Sequence, residues 1–301
     1  MDIQTLIARK RRNYGHRLMN MRHQLIDYPL ETIPTDRPRL VEGRPSASEI
    51  PRVIVQTYRT PTVASPVYSA VIQWQEMNPE FDYRFFDDDE CRAFIETHFP
   101  PEVVQAFDCL VPGAYKADLW RYCYLAEKGG VYVDIRMEPL LALRTVLGFG
   151  DAEPPSFVGV RDLLQPDKDM RSYLYNAFMA AAPRHPIVLA ALDRTLANIK
   201  ARDYGRDTLD ITGPGCLGAA LNVVLGSPFD GPIALGDHST PQTGRYRILD
   251  HRYDPFHREV VALDQRPAIV TKCIHGDMAN ADKTYSKWSY ASFYRRGLVF
   301  K

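Results

Sequence analysis

Asp118 and Arg121 stand three residues apart in "AYKADLWRYCYLAEKGG", and Asp134 and Arg136 stand two apart in "GGVYVDIRMEP". Acids and arginines at such spacings have chemical uses. A carboxylate accepts hydrogen bonds and a guanidinium donates several in a planar fork, so together they suit a polyol or an anion. An aspartate that ends a β-run is also a common oxygen ligand for Mg2+ or Mn2+. The plainer role is a surface i,i+3 ion pair on a helix, worth about 0.2–0.5 kcal/mol.

The local pattern says what holds these groups. Leu119, Tyr122, Cys123 and Ala126 fall on one helical stripe, and Gly129-Gly130 ends the helix. The β-branched and aromatic run Val131-Tyr132-Val133 follows at once. If the chain stays extended beyond it, Asp134, Arg136 and Glu138 share one face. In open parallel sheets ligands bind beyond the carboxyl ends of the strands, and Asp134 would lie at such an end. "ITGPGCLG", with Gly213, is either a phosphate-cradling loop or a plain helix-start turn. It matches neither the Walker A nor the dinucleotide pattern.

The wider chain is ordinary for a globular protein: 301 residues, 45% hydrophobic, with 37 basic against 37 acidic side chains. That balance argues against nucleic-acid binding through a global positive field. Five dispersed cysteines without a CxxC read as reduced thiols, which implies a cytoplasmic protein without a zinc site. No apolar run is long enough for a transmembrane helix. Residues 1–49 read as a basic helical arm and linker. Arg9, Lys10, Arg11 and Arg12 among apolar residues suit either peripheral contact with an anionic membrane surface or a solvated arm. Residues 50–301 read as one α/β domain, a mainly parallel sheet flanked by helices, because strand and helix patterns alternate.

"IPRVIVQTYRT", "NPEFDYRFFDDDECRAFI", "AYKADLWRYCYLAEKGGVYVDI", "YNAFMAAAPRHPIV" and "TGPG" follow one another in an order that resembles glycosyltransferase family 32, whose members carry a DxD-containing sugar-binding region. The resemblance covers roughly residues 50–225. It implies a GT-A fold, a Rossmann-like sheet. It also implies a retaining hexosyltransferase that takes a UDP- or GDP-sugar donor and passes the sugar to a glycan or polysaccharide acceptor. The matching positions make Asp118 and Arg121 the sugar-hydroxyl ligands and Asp134 the first DxD acid. Gln56, Thr57 and Tyr58, at the end of the first strand, fall by the nucleotide, with Asn176, Gly213 and Trp288 as further substrate contacts. Arg136 stands where the second DxD aspartate is expected, so it offsets the diphosphate charge, ion-pairs with Asp134, or turns away and leaves Asp134 to work with a ligand from the tail. Mn2+ or Mg2+ is the implied cofactor, held by Asp134 with His275 and Asp277 from the tail. Two alternatives stay open: a non-catalytic nucleotide-sugar-binding protein, and a toxin-like transferase acting on a protein side chain.

Overall fold

The computed structural model describes residues 28–43, 48–162, 172–254, 258–271 and 290–301. Its first strands lie upstream of the boundary expected at residue 50. β1 (Leu30–Thr32) pairs antiparallel with β4 (Thr62–Ala64), and β2 (Asp36–Arg37) with β5 (Asp82–Phe86). Ile33 between them is 1% exposed and packs into a core cluster. Arg39 Nη2 meets Asp82 Oδ2 at 2.6 Å. Leu30–Thr32 thus form a two-stranded sheet with β4 and Asp36–Arg37 join the main sheet, so this stretch is packed on the domain, which corrects its reading as linker. A single large apolar anchor among Pro, Glu and Arg left no periodicity to read. The basic arm, residues 1–27, lies outside the described residues.

β3 (Val53–Thr57) runs parallel to β5 on one side and to β6 (Gly130–Val133) on the other. Between them come α1 (Ser65–Met77), α2 (Asp88–His98), α3 (Pro101–Cys109) and α4 (Gly113–Lys128). α2 begins with a capping box, in which the Asp87 carboxylate accepts from the Glu90 N–H and the Glu90 carboxylate from the Asp87 N–H. β7 (Met137–Pro139), the short α5 (Leu143–Val146) and β8 (Phe157–Arg161) follow. β9 (Phe178–Ala181) lies antiparallel between β6 and β8, ahead of α6 (Pro186–Ala201) and α7 (Pro214–Val224). β10 (Gly236–Thr240), β11 (Gly244–Asp254), β12 (Arg258–Leu263) and β13 (Arg266–Thr271) extend the sheet, and α8 (Tyr290–Arg295) closes the described chain. The order is β2-β5-β3-β6-β9-β8-β11-β12-β13-β7, with β10 on β11. β5, β3, β6, β8, β11 and β13 all point one way, as the alternating pattern implies.

Strand alternation sorts the core into two layers. Val55 and Tyr132 face α2, α3, α4, α6 and α7, while Ile54, Val131 and Val133 face α1. α4 lies deepest. Every residue from Leu119 to Ala126 is buried, so it is a core helix rather than one with a single apolar stripe. It stops sharply because Gly129 takes φ +65° and Gly130 φ +108°. A Cβ at Gly130 would also sit 2.6 Å from Val53 Cγ1, so only glycine lets β6 lie against β3.

The sheet curls. β6 and β7 are neighbours in the chain but sit six strand spacings apart in the sheet. Six spacings are about 29 Å along a flat sheet. The four-residue step from Val133 to Met137 spans at most about 14 Å. The far edge must therefore bend round until β13 delivers β7 beside the end of β6. The chain reverses through a turn in which the Met137 N–H donates to Asp134 O at 3.0 Å. Trp74 Nε1 on α1 pins it by donating to Met137 O at 2.6 Å.

Candidate functional site

Asp134 closes β6, at the carboxyl end of the parallel strands. Its backbone is held on two sides: its N–H donates to Ala177 O at 2.8 Å, and its carbonyl accepts from Gln56 Nε2 at 3.4 Å. Gln56 is fully buried and also accepts from the Tyr83 hydroxyl at 3.0 Å, so it positions Asp134 rather than facing outward. The Asp134 side chain is 45% exposed. Its Oδ1 accepts from the Tyr132 hydroxyl at 2.8 Å and lies 3.4 Å from Arg121 Nη2.

Arg121 is 4% exposed, and each of its three nitrogens has a partner. Nε donates to Ala117 O at 3.2 Å, Nη1 to Asn176 O, and Nη2 lies 3.1 Å from Asp118 Oδ1. Its guanidinium also sits 4.2 Å over the Tyr132 ring. Asp118 accepts from Asn176 Nδ2 at 2.9 Å and from Thr212 Oγ1 at 2.7 Å. Asn176 Nδ2 also reaches the Tyr122 hydroxyl at 3.1 Å, which donates to Thr212 O at 2.9 Å. Burial pushes the Asp118 carboxyl up, against the opposing pull of Arg121, Thr212 and Asn176. Burial likewise works against the Arg121 charge, but Tyr132, Asp118 and Asp134 hold it above its ordinary value. The i,i+3 pair is thus internal, with a partner on every polar side-chain atom, and the surface-pair reading does not apply to it.

Asp118, Arg121, Asp134 and Asn176 come together as one network. Thr57 lies apart from it: its Oγ1 donates to Phe86 O at 2.8 Å and meets Cys91 Sγ at 3.1 Å. Tyr58 is half-buried just past β3, with the Arg59 guanidinium 5.6 Å from its ring centre. Arg136 is half-buried in the turn after Asp134. The chain is not extended there, so the shared face expected for Asp134, Arg136 and Glu138 is not formed. Exposure still alternates, with Asp134, Arg136 and Glu138 half-buried between buried Ile135, Met137 and Pro139, but across a turn rather than along one strand. Gly213 caps α7, and a Cβ on it would lie 3.4 Å from Asp118 Oδ2. The following loop is closed to phosphate: Thr212 to Gly215 are all buried, Pro214 has no N–H, and the Gly215 N–H is spent on Leu209 O at 3.0 Å. The plain helix-start turn is what forms.

Trp288, His275 and Asp277 lie outside the described residues. Tyr290 and Tyr294 pack on the domain, against Tyr115 and Tyr204. Among the described residues no group of three His, Cys, Asp or Glu side chains could hold a metal ion. Asp134 alone does not make a divalent-cation site. No helix among them is long and apolar enough to cross a membrane.

Three working residues escaped sequence reasoning. Tyr132 sits two positions before Asp134, on the same strand face, and alternation alone would have flagged it. Tyr122 hid in the apolar stripe. Thr212 passed as one more residue of a glycine-rich turn.

Residues 66–151 match the profile of a "Glycosyltransferase sugar-binding region containing DXD motif". The chain is 27% identical over 211 residues to an initiation-specific alpha-1,6-mannosyltransferase of Schizosaccharomyces pombe, covering 64% of this chain and 52% of that protein. It is also 27% identical over 157 residues to the mannosyl phosphorylinositol ceramide synthase SUR1 of Saccharomyces cerevisiae, covering 50% and 36%. The chain thus spans about half of the first relative and about a third of the second. Among solved structures it overlaps a PaToxG glycosyltransferase with a TM-score of 0.45 and 17% identity, over 74% of this chain and 80% of that one. The matched segment runs from Pro66 in helix α1 through the turn at Asp134.

Proposed function

We propose that the protein transfers a hexose from a nucleotide-sugar to a glycan acceptor, with retention at the anomeric carbon, on a GT-A type sheet. The observation that carries this reading is the buried Asp118–Arg121 pair joined to the half-exposed Asp134, outside the carboxyl ends of β3 and β6. Asp118 accepts a hydrogen bond from a donor-sugar hydroxyl, and Arg121 holds Asp118 and Asp134 in place. The nucleotide lies over the end of β3, with Tyr58 against the base. Asp134 and Arg136 flank the diphosphate. The guanidinium charge offsets the negative charge that grows on the leaving group, which is the main contribution to rate. Retention follows from attack by the acceptor hydroxyl on the face the diphosphate leaves. UDP- and GDP-hexoses are the donor class. A mannosyl group is the first to test, because both yeast relatives are named for mannosyl transfer.

Mn2+ or Mg2+ would bind Asp134 with His275 and Asp277 and would supply further charge for the diphosphate. A cytoplasmic place of action, with peripheral membrane contact through the basic residues 1–27, completes the reading.

The test incubates the chain with UDP- and GDP-hexoses, in EDTA or Mn2+, and measures thermal stability and released nucleoside diphosphate. One donor should raise the melting temperature by mass action and be turned over. Arg136 at the second DXD position favours a second reading, a non-catalytic nucleotide-sugar-binding protein. Stabilisation without any release, to water or to glycan acceptors, would support it.

A further inference from the structure

A carboxylate offers about four acceptor positions. At Asp118 three are occupied by the protein: Oδ1 takes Asn176 Nδ2 and Arg121 Nη2, and Oδ2 takes Thr212 Oγ1. One position remains, on Oδ2. Only 11% of the side chain is exposed, so whatever meets the remaining acceptor must come close and from few directions. Gly213 borders it. Its φ of −92° lies outside the left-handed region that favours glycine. A Cβ there would lie 3.3 Å from Leu209 O and 3.4 Å from Asp118 Oδ2, so the missing side chain leaves room beside both.

We propose that Thr212 is the positioning residue that makes Asp118 a reader of one donor-sugar hydroxyl, with Gly213 keeping the approach open. This rests on the reading of Asp118 as a sugar ligand and adds its selectivity. Thr212 is fully buried and touches no substrate. Its hydroxyl fixes the carboxylate plane and satisfies one lone pair of Oδ2, leaving a single direction for the ligand. The donor class is a nucleotide-hexose with a free hydroxyl at that position. A sugar that is deoxygenated or acylated there leaves a buried acceptor unpaired and is rejected. Thr212 bonds Asp118 and not Asp134, so the nucleoside diphosphate should be indifferent to it.

The experiment is titration calorimetry on the full chain with the active nucleotide-sugar and, separately, with its nucleoside diphosphate. The variants are Thr212→Val, Thr212→Ser and Gly213→Ala. Thr212→Val should weaken the nucleotide-sugar about tenfold, the effect of losing one hydrogen bond to a charged group. It should leave the nucleoside diphosphate unchanged. Thr212→Ser should restore sugar binding. Gly213→Ala, which puts a methyl 3.4 Å from Oδ2 and removes no hydrogen-bonding group, should also weaken only the sugar ligand, and it carries the test if the valine variant does not fold. Equal loss for both ligands would reduce Thr212 to a structural role and overturn the proposal. So would wild-type sugar affinity in both Thr212→Val and Gly213→Ala. A wild-type protein that binds the nucleoside diphosphate but no nucleotide-sugar would overturn the function reading itself.

Discussion

Arg121 reaches both acids of the site with one nitrogen: Nη2 lies 3.1 Å from Asp118 Oδ1 and 3.4 Å from Asp134 Oδ1. It joins helix α4 to the end of β6 while almost fully buried. Without it Asp118 is a buried carboxylate with no counter-charge. Arg121→Ala should therefore cost about 3–5 kcal/mol of stability as well as all transfer. Arg121→Lys keeps the charge but loses the fork, so it should regain part of the stability and little transfer. Urea melts beside transfer assays separate the two effects, and wild-type turnover in the lysine variant would refute the fork.

Tyr132→Phe removes the hydroxyl that holds Asp134 Oδ1 at 2.8 Å and leaves the ring under Arg121. The fold should lose only about 1 kcal/mol. The nucleoside diphosphate should bind several-fold more weakly, because Asp134 is free to swing. Calorimetry reads this directly, and unchanged affinity would mean that Asp134 does not act at the diphosphate.

Arg136 occupies a tight turn rather than an extended strand, within two residues of Asp134. Arg136→Ala should weaken nucleoside diphosphate binding in EDTA. Arg136→Asp should make binding strictly dependent on Mn2+ or Mg2+. If the alanine variant binds as tightly as wild type without metal, the guanidinium does not meet the phosphates.

His185 caps α6 in its neutral form. Its Nδ1 accepts from the Ile187 N–H at 3.3 Å, and its Nε2 contacts Thr243 O at 3.1 Å. Burial pushes the imidazole down from 6.5 to about 4. The unfolded chain therefore takes up this proton first as pH falls. The stabilisation is complete above about pH 6.5 and is lost progressively toward pH 4, to a total of about 3 kcal/mol. His185→Asn keeps a capping side chain and cannot titrate. The stability difference between wild type and variant should change by that amount between pH 7 and pH 4 in urea melts. A pH-independent difference would mean that His185 is not buried neutral.

A chain starting at residue 28 should fold, and one starting at residue 47 should not fold stably. The shorter chain lacks β1, β2 and the buried Ile33, whose anchor alone is worth about 2–3 kcal/mol. Melting temperatures of the two chains decide this, and equal values would restore the boundary at residue 50.

How much of this was written legibly in the sequence depends on range. The helix over 113–128, its glycine stop and the strand at Val131 are local, and periodicity with the Gly-Gly pair was enough to place them. The burial of Asp118 and Arg121 is not local. Their polar partners come from Asn176 and Thr212, 58 and 94 residues away from Asp118, and no window on the helix contains them. The turn after Asp134 was misread for the same reason. Val-Tyr-Val-Asp-Ile-Arg-Met continues as a good strand by propensity, and what reverses it is a pairing with β13 more than a hundred residues later. Ile33 shows the opposite failure, since one buried side chain in a polar stretch has no period at all.

The curl of the sheet also sets an order of events. Met137 pairs with Thr271, and nothing nearer in the chain can take that place beside β7. Closing so long a loop is slow, because its entropy is lost before the contact stabilises anything. β3, β5, β6 and α4 can assemble from residues 53–133 alone and present Asp118 and Arg121 early. The reversal at Asp134 and Arg136 waits for the last hairpin to arrive. During synthesis Asp134 and Arg136 are thus among the last groups fixed, and a chain cut short before β13 would hold the Asp118–Arg121 pair without the ordered turn beside it.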